Sequence, residues 1–194
     1  LENVYPLISM GANTLANGTN ISVNNIYVKV SVTEANEANI TFTLYNTTGP
    51  VNITTKDAGN RTFNWTGLID GVYYYNVTVR DLVNFVNVTE TYVIRLDNVK
   101  PYIIIAYPAN ITYNVNVSGL NYSSYDVDSG VDRCWYSNNS GIINSTSVNL
   151  GTNFTNVISK EGSNTLTLYA NDSAGNENST SVTFFKDTVA PAVT

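Results

Sequence analysis

The sequence repeats itself with a period near 90 residues, and that period constrains the fold more than any other feature. Three places share one punctuation: an acidic residue, Asn or Thr, Val, any residue, then Pro. They are Glu2-Asn3-Val4-Tyr5-Pro6, Asp97-Asn98-Val99-Lys100-Pro101 and Asp187-Thr188-Val189-Ala190-Pro191, spaced 95 and then 90 residues apart. Between them a common offset of 91 pairs Tyr45 with Tyr136, Phe63 with Phe154, Asp70 with Glu161, Gly71 with Gly162 and Asp81 with Asp172. The chain therefore divides into module 1, residues 1–96, and module 2, residues 97–186, with 187–194 as the start of a third repeat or a terminal linker. It opens at Leu1 without a charged-then-apolar leader and reads as a mature or excised piece of something longer.

Within each module the hydrophobic period is two. Ile26 to Val32, Asn39 to Leu44, Tyr75 to Arg80 and Thr165 to Ala170 each alternate apolar with polar residues. Such strands have one dry and one wet face and belong to antiparallel sheets. The dry faces are expected to hold Val28, Val30, Ile40, Phe42, Leu44, Val77 and Val79 in module 1, and Leu166, Leu168 and Ala170 in module 2. Turn clusters separate the strands at Asn46 to Pro50, Asp57 to Asn60, Asp70-Gly71, Asn138 to Gly141 and Ser173 to Asn176. No segment keeps a helical period, and a chain so rich in Asn, Thr, Val and Tyr is poor helix material. Short strands with turns every 8–12 residues or so make an all-β protein of two sandwiches.

Particular motifs resemble a family. The stretch Asn164 to Asn176, with Asp172 closing a strand before Ala174-Gly175-Asn176, and then Ser181 to Pro191, resembles the Ig-like repeats of bacterial and archaeal surface proteins. Asp128-Ser129-Gly130-Val131 followed by Cys134-Trp135-Tyr136-Ser137 is similar to the second and third strands of such repeats. Module 1 departs from the pattern, with Asp81-Leu82-Val83-Asn84 where a turn glycine is expected. The resemblance implies two tandem Ig-like antiparallel β-sandwich domains that act as stalks, spacers or adhesive modules on exported proteins.

Composition removes whole classes of function. With no His there is no Ser-His-Asp triad and no imidazole metal site. A single Cys, Cys134, closes no internal disulfide and reads as a buried apolar residue. Nine Lys plus Arg in a chain of net charge −6 make no footprint for nucleic acid, and no apolar run reaches the length of a transmembrane helix. A carboxylate pair of the glycosidase kind is the catalysis left open, but the acidic residues sit on separated loops, so the chain is read as non-enzymatic.

Asn-x-Ser/Thr occurs 17 times, at Asn17, Asn20, Asn39, Asn46, Asn52, Asn60, Asn64, Asn76, Asn87, Asn110, Asn116, Asn121, Asn138, Asn144, Asn153, Asn171 and Asn178. Thirty Asn and forty Ser plus Thr placed at random among 194 residues would give about 6. Asn and Thr alternating on a wet strand face account for Asn39, Asn76 and Asn52. Asn17, Asn60, Asn138 and Asn171 are placed in turns, so that account does not reach them. The expected chemistry is N-glycosylation of an extracellular chain, which would also keep a surface poor in charge soluble.

A second candidate is a structural Ca²⁺ ion held by Asp97, Asn98, Asp126, Asp128 and Asp172, since a hard cation wants six to eight oxygens. The competing reading is that these residues only form turns. No other cofactor is expected. Trp65 and Trp135 are expected in or at the edge of the core, and of the consecutive Tyr73, Tyr74 and Tyr75 at least one must face outward. The expected role is a non-catalytic structural or adhesive module at the cell surface, acting as stalk, spacer or presenter. Its partners would be neighbouring repeats of the same protein, identical subunits or cell-surface glycans. A self-assembling subunit of a surface layer or filament is the alternative. A carbohydrate-binding module is the third reading and needs an exposed aromatic patch.

Overall fold

Alternating side chains become sheet faces. The computed structural model describes residues 4–138 and 143–192. Glu2 and Asn3 of the first punctuation, and Asn139, Ser140 and Gly141 of the expected turn, lie outside the described residues. The chain forms two units, Leu1–Asn98 and Val99–Thr194. Each is a mainly antiparallel β-sandwich, and no helix occurs among the described residues.

The first unit contains β1 (Leu7–Met10), β2 (Thr19–Ile21), β3 (Asn25–Thr33), β4 (Glu37–Asn46), β5 (Gly49–Asp57), β6 (Thr62–Thr66), β7 (Gly71–Asp81), β8 (Val86–Val88) and β9 (Tyr92–Leu96). One sheet runs β1-β3-β6, and the other β2-β9-β7-β4-β5 with β8 also on β7. The second unit contains β10 (Tyr102–Tyr107), β11 (Thr112–Tyr113), β12 (Gly119–Tyr125), β13 (Val131–Asn138), β14 (Ile143–Asn144), β15 (Phe154–Thr155), β16 (Gly162–Asp172) and β17 (Glu177–Lys186). Its sheets run β10-β12-β15 and β11-β17-β16-β13-β14. The same device recurs in both units: a short strand near the module's start pairs parallel with the last strand, β2 with β9 and β11 with β17.

Every residue expected on a dry face is buried. The first core stacks Phe42, Phe63, Trp65, Tyr75 and Tyr92 in successive ring contacts. The second gathers Leu120, Cys134, Leu166, Leu168, Ala170 and Phe184. Tyr73 and Tyr75 point inward and Tyr74 is half-exposed, as two-residue alternation requires.

The wet faces use hydroxyls where other proteins use charges. Thr41 meets Thr55 across β4 and β5 at 2.9 Å. Across β16 and β17, Thr165 meets Thr183 and Thr167 meets Ser181, each at 3.0 Å. Cross-strand hydroxyl pairs of this sort stabilise a sheet by about 0.2–1 kcal/mol each.

Candidate functional site

Both modules build their acidic hairpin turns from the same bonds. After β7, Asp81 Oδ1 accepts the N–H groups of Val83 and Phe85, at 2.9 and 2.8 Å. After β16, Asp172 Oδ1 accepts those of Ala174 and Asn176 at the same two distances. Asn84 takes a φ of 74° where Gly175 takes 94°. Asn tolerates the left-handed region better than other residues with a side chain, so the missing glycine of module 1 is replaced in function as well as in place. The modules differ at one atom. Asp172 Oδ2 accepts Asn176 Nδ2 at 2.7 Å. In module 1 the matching residue is Phe85, and the buried Asp81 Oδ2 has no hydrogen-bond partner among the described residues.

A second repeated bond closes each module. Asn98 Nδ2 donates to Asp70 Oδ1 at 2.7 Å. In module 2 the Thr188 hydroxyl donates to Glu161 Oε1 and its N–H to Oε2. These two donors, followed by Lys186, hold the Glu161 carboxyl below the usual glutamate range. The Asp70 and Glu161 pairing seen as a sequence offset is thus a tie between the loop that joins the two sheets and the strand-end segment.

The five residues considered for Ca²⁺ are not alike. Asp97 is fully buried at the end of the first unit, and its N–H donates to the Ile21 carbonyl. Asn98 is bonded to Asp70 within that unit. In the second unit, carboxylate oxygens of Asp126 and Asp172 lie within 4.8 Å of one another. Asp126 Oδ1 accepts three N–H groups, from Asp128, Ser129 and Gly130, leaving its buried Oδ2 without a hydrogen bond. Asp128 is exposed. Of this pair's carboxylate oxygens, Asp126 Oδ2 is the one that accepts no hydrogen bond among the described residues.

The sequons fall on strands more than on turns. Asn138 ends β13 and Asn171 lies in β16, where turns were expected. The cause is length: β16 runs eleven residues before turning at Asp172, and the Asn171 backbone stays in the ladder opposite Glu177. Asn17 and Asn60 do lie in loops.

The tryptophans part company. Trp65 is 4 % exposed in the first core, with Nε1 donating to Asn52 Oδ1 at 3.1 Å. Trp135 is opposite Tyr169 on the outer face of its sheet, because Cys134 beside it pairs with Ala170 on the inner face. The Trp135 and Tyr169 rings stack at 5.4 Å with planes 4° apart, and Trp135 is half-buried. Cys134 is free and fully buried. A 660 Å³ depression in the first unit is lined in part by Ser22, Val23, Asn25, Ile69, Asp70 and Asn98. Its one carboxylate, Asp70, accepts the Asn98 amide.

Comparison with known proteins agrees at the level of fold. No protein-family model matches the sequence, and no curated protein matches it. Among solved structures, the fibronectin(III)-like modules of Clostridium thermocellum CbhA superpose with a TM-score of 0.55 at 12% identity, over 97% of this chain and 99% of that one. The likeness is one of fold: an all-β chain of two β-sandwich domains, matching those tandem fibronectin(III)-like modules. The human Desmocollin-1 ectodomain (TM-score 0.47, 15% identity, 94% of this chain and 42% of that one) is also similar. So are the FN1–FN3 domains of chicken CNTN1 (0.44, 11%, 95% and 70%).

Proposed function

We propose that the chain is a non-catalytic extracellular spacer, two modules of a repeat-built surface protein, with N-linked glycans on its neutral surface. One observation carries the reading: what the two modules share is what holds a sandwich together. The repeated residues are the turn carboxylates Asp81 and Asp172, the ties from Asp70 and Glu161, and the alternating core. The Trp135–Tyr169 stack and the oxygen left over on Asp126, by contrast, belong to module 2. A chain built on its scaffold bonds serves extension and presentation better than chemistry.

The experiment is protease treatment of intact cells of the native source, followed by mass spectrometry of the released peptides. Release of peptides from this chain while cytoplasmic markers stay intact supports the reading. Protection until lysis overturns it.

The self-assembling alternative draws on β5. It is nine residues long and, among the described residues, pairs with β4 alone, leaving an edge of unpaired backbone groups. Concentration-dependent sheets or filaments in purified protein would favour it. A calcium ion on Asp126 and Asp172 is a separable part of the proposal. A melting temperature that rises with added Ca²⁺ and falls with chelator would support it, and an unchanged one would remove it.

A further inference from the structure

The 17 sequons are equivalent in sequence but not in the fold, because a side-chain amide can be used from either end. Where the partner is a backbone or indole N–H, the amide must present Oδ1, and its nitrogen is left over. Where the partner is a carbonyl, the amide must present Nδ2. These partners fix the orientation of the amide by chemistry. Asn17 Oδ1 accepts the Val93 N–H at 2.7 Å, Asn52 Oδ1 the Trp65 indole N–H at 3.1 Å, and Asn153 Oδ1 the Tyr122 N–H at 3.3 Å. All three residues are exposed.

Asn87 and Asn178 are the opposite case, and they repeat each other at the offset of 91. Asn87 Nδ2 donates to the Pro6 carbonyl at 2.9 Å while its Oδ1 accepts the Val88 N–H at 2.8 Å. Asn178 Nδ2 donates to the Pro101 carbonyl at 3.0 Å while its Oδ1 accepts the Ser179 N–H at 2.9 Å. Both are half-buried. The proline in each case is the one that marks the module's start, and a proline-containing entry segment lacks one ladder donor. The amide clamps that segment to the strand after the acidic turn.

We propose that the fold sorts the sequons by this rule: Asn17, Asn52 and Asn153 accept glycans, while Asn87 and Asn178 are structural clamps that carry none. The proposal rests on the glycan reading above and sharpens it. Glycosylation joins sugar C1 to Nδ2. The bond from C1 to the phosphate of an activated sugar donor breaks, the phosphate leaves with the electron pair, and one Nδ2 proton is lost to base. At the three open sites Nδ2 meets that donor without giving up a protein bond. At the two clamps the sugar would have to occupy a half-buried nitrogen already held at about 3 Å from a carbonyl. Asn60 and Asn138 are held in the same way, their Nδ2 atoms donating to the Asp57 and Ile158 carbonyls. On Asn52, in the edge strand β5, a sugar would also screen that edge from pairing.

Two measurements test this. Site-by-site glycopeptide mapping of protein from its native source should find sugar at Asn17, Asn52 and Asn153 and bare Asn at 87 and 178. Sugar on either clamp in folded protein, or bare open sites beside glycosylated ones elsewhere, overturns the rule. The second uses unglycosylated protein. Asn178→Asp keeps an acceptor but loses the donor, so it should lower Tm by about 4–8 °C. Asn52→Asp keeps the acceptor that Trp65 needs and should leave Tm nearly unchanged. Equal losses would overturn the division even with no sugar present. A chain bare of sugar in its native source, combined with the expected Tm contrast, would refute the glycan reading and the acceptor assignment but leave the clamps standing.

Discussion

The acidic turns allow a test in which the two modules serve as each other's control. Gly175 sits at φ 94°, and a Cβ added there meets nothing within 4 Å. Gly175→Ala therefore introduces no clash, and its cost is purely that of a left-handed backbone, about 1–2 kcal/mol for an ordinary L-residue. Asn84 already holds the matching conformation in module 1 at φ 74°, so Gly175→Asn should cost clearly less, roughly half that or below. Each module has one tryptophan, Trp65 in the first and Trp135 in the second. In a Trp65→Phe background, Trp135 fluorescence follows the second module alone. With a urea m-value of about 1–3 kcal/mol/M, Gly175→Ala should move the midpoint down by roughly 1 M and Gly175→Asn by visibly less. If Asn proved as costly as Ala, or Ala cost nothing, the claim that the two turns are one device would fail.

Other outcomes follow from the same geometry. Leu168→Ala removes a fully buried side chain and should cost about 2–5 kcal/mol. Thr167→Ala, on the outer face beside Ser181, should cost under about 1 kcal/mol, and similar losses in denaturant titrations would contradict the face assignment. Phe85→Asn supplies module 1 with the donor that Asn176 gives Asp172. Its Nδ2 should bond Asp81 Oδ2, which NMR of the amide protons would show as a slowly exchanging side-chain N–H; rapid exchange would refute the match. Because the folded pKa of Glu161 is depressed, the Thr188 tie is present above the ordinary glutamate pKa and is lost as pH falls through the lower folded value. Carboxyl-carbon NMR should place the Glu161 midpoint below that of an exposed glutamate, and Thr188→Ala should restore much of the difference.

Much of the fold was legible because its signals are local. Alternation assigned the dry faces from Val28 to Ala170, and the Asp-x-x-Gly and Asp-x-x-Asn turns differ by a residue that still tolerates positive φ. Trp135 was harder. Cys134, Trp135 and Tyr136 are three consecutive large or apolar residues, and only the pairing of Cys134 with Ala170 decides which faces outward. Asn138 and Asn171 looked like turn residues, since composition does not show how far a strand continues into an Asn-rich segment. The clamps were invisible for another reason: Asn87 meets Pro6 across 81 residues and Asn178 meets Pro101 across 77. The pairing of Asn87 with Asn178 at the common offset of 91 was a signal that could have marked them.

The central claim is that this chain is one β-sandwich module used twice, each copy with its own core. Single-molecule stretching of the full chain tests it most directly. The units of 98 and 96 residues should unfold in two separate events. Each should release roughly 300 Å of chain, from about 3.3–3.6 Å per extended residue less the folded span. Gly175→Ala should weaken one event and leave the other unchanged. A single event releasing the whole length, or a substitution in one module that weakens both, would contradict the account.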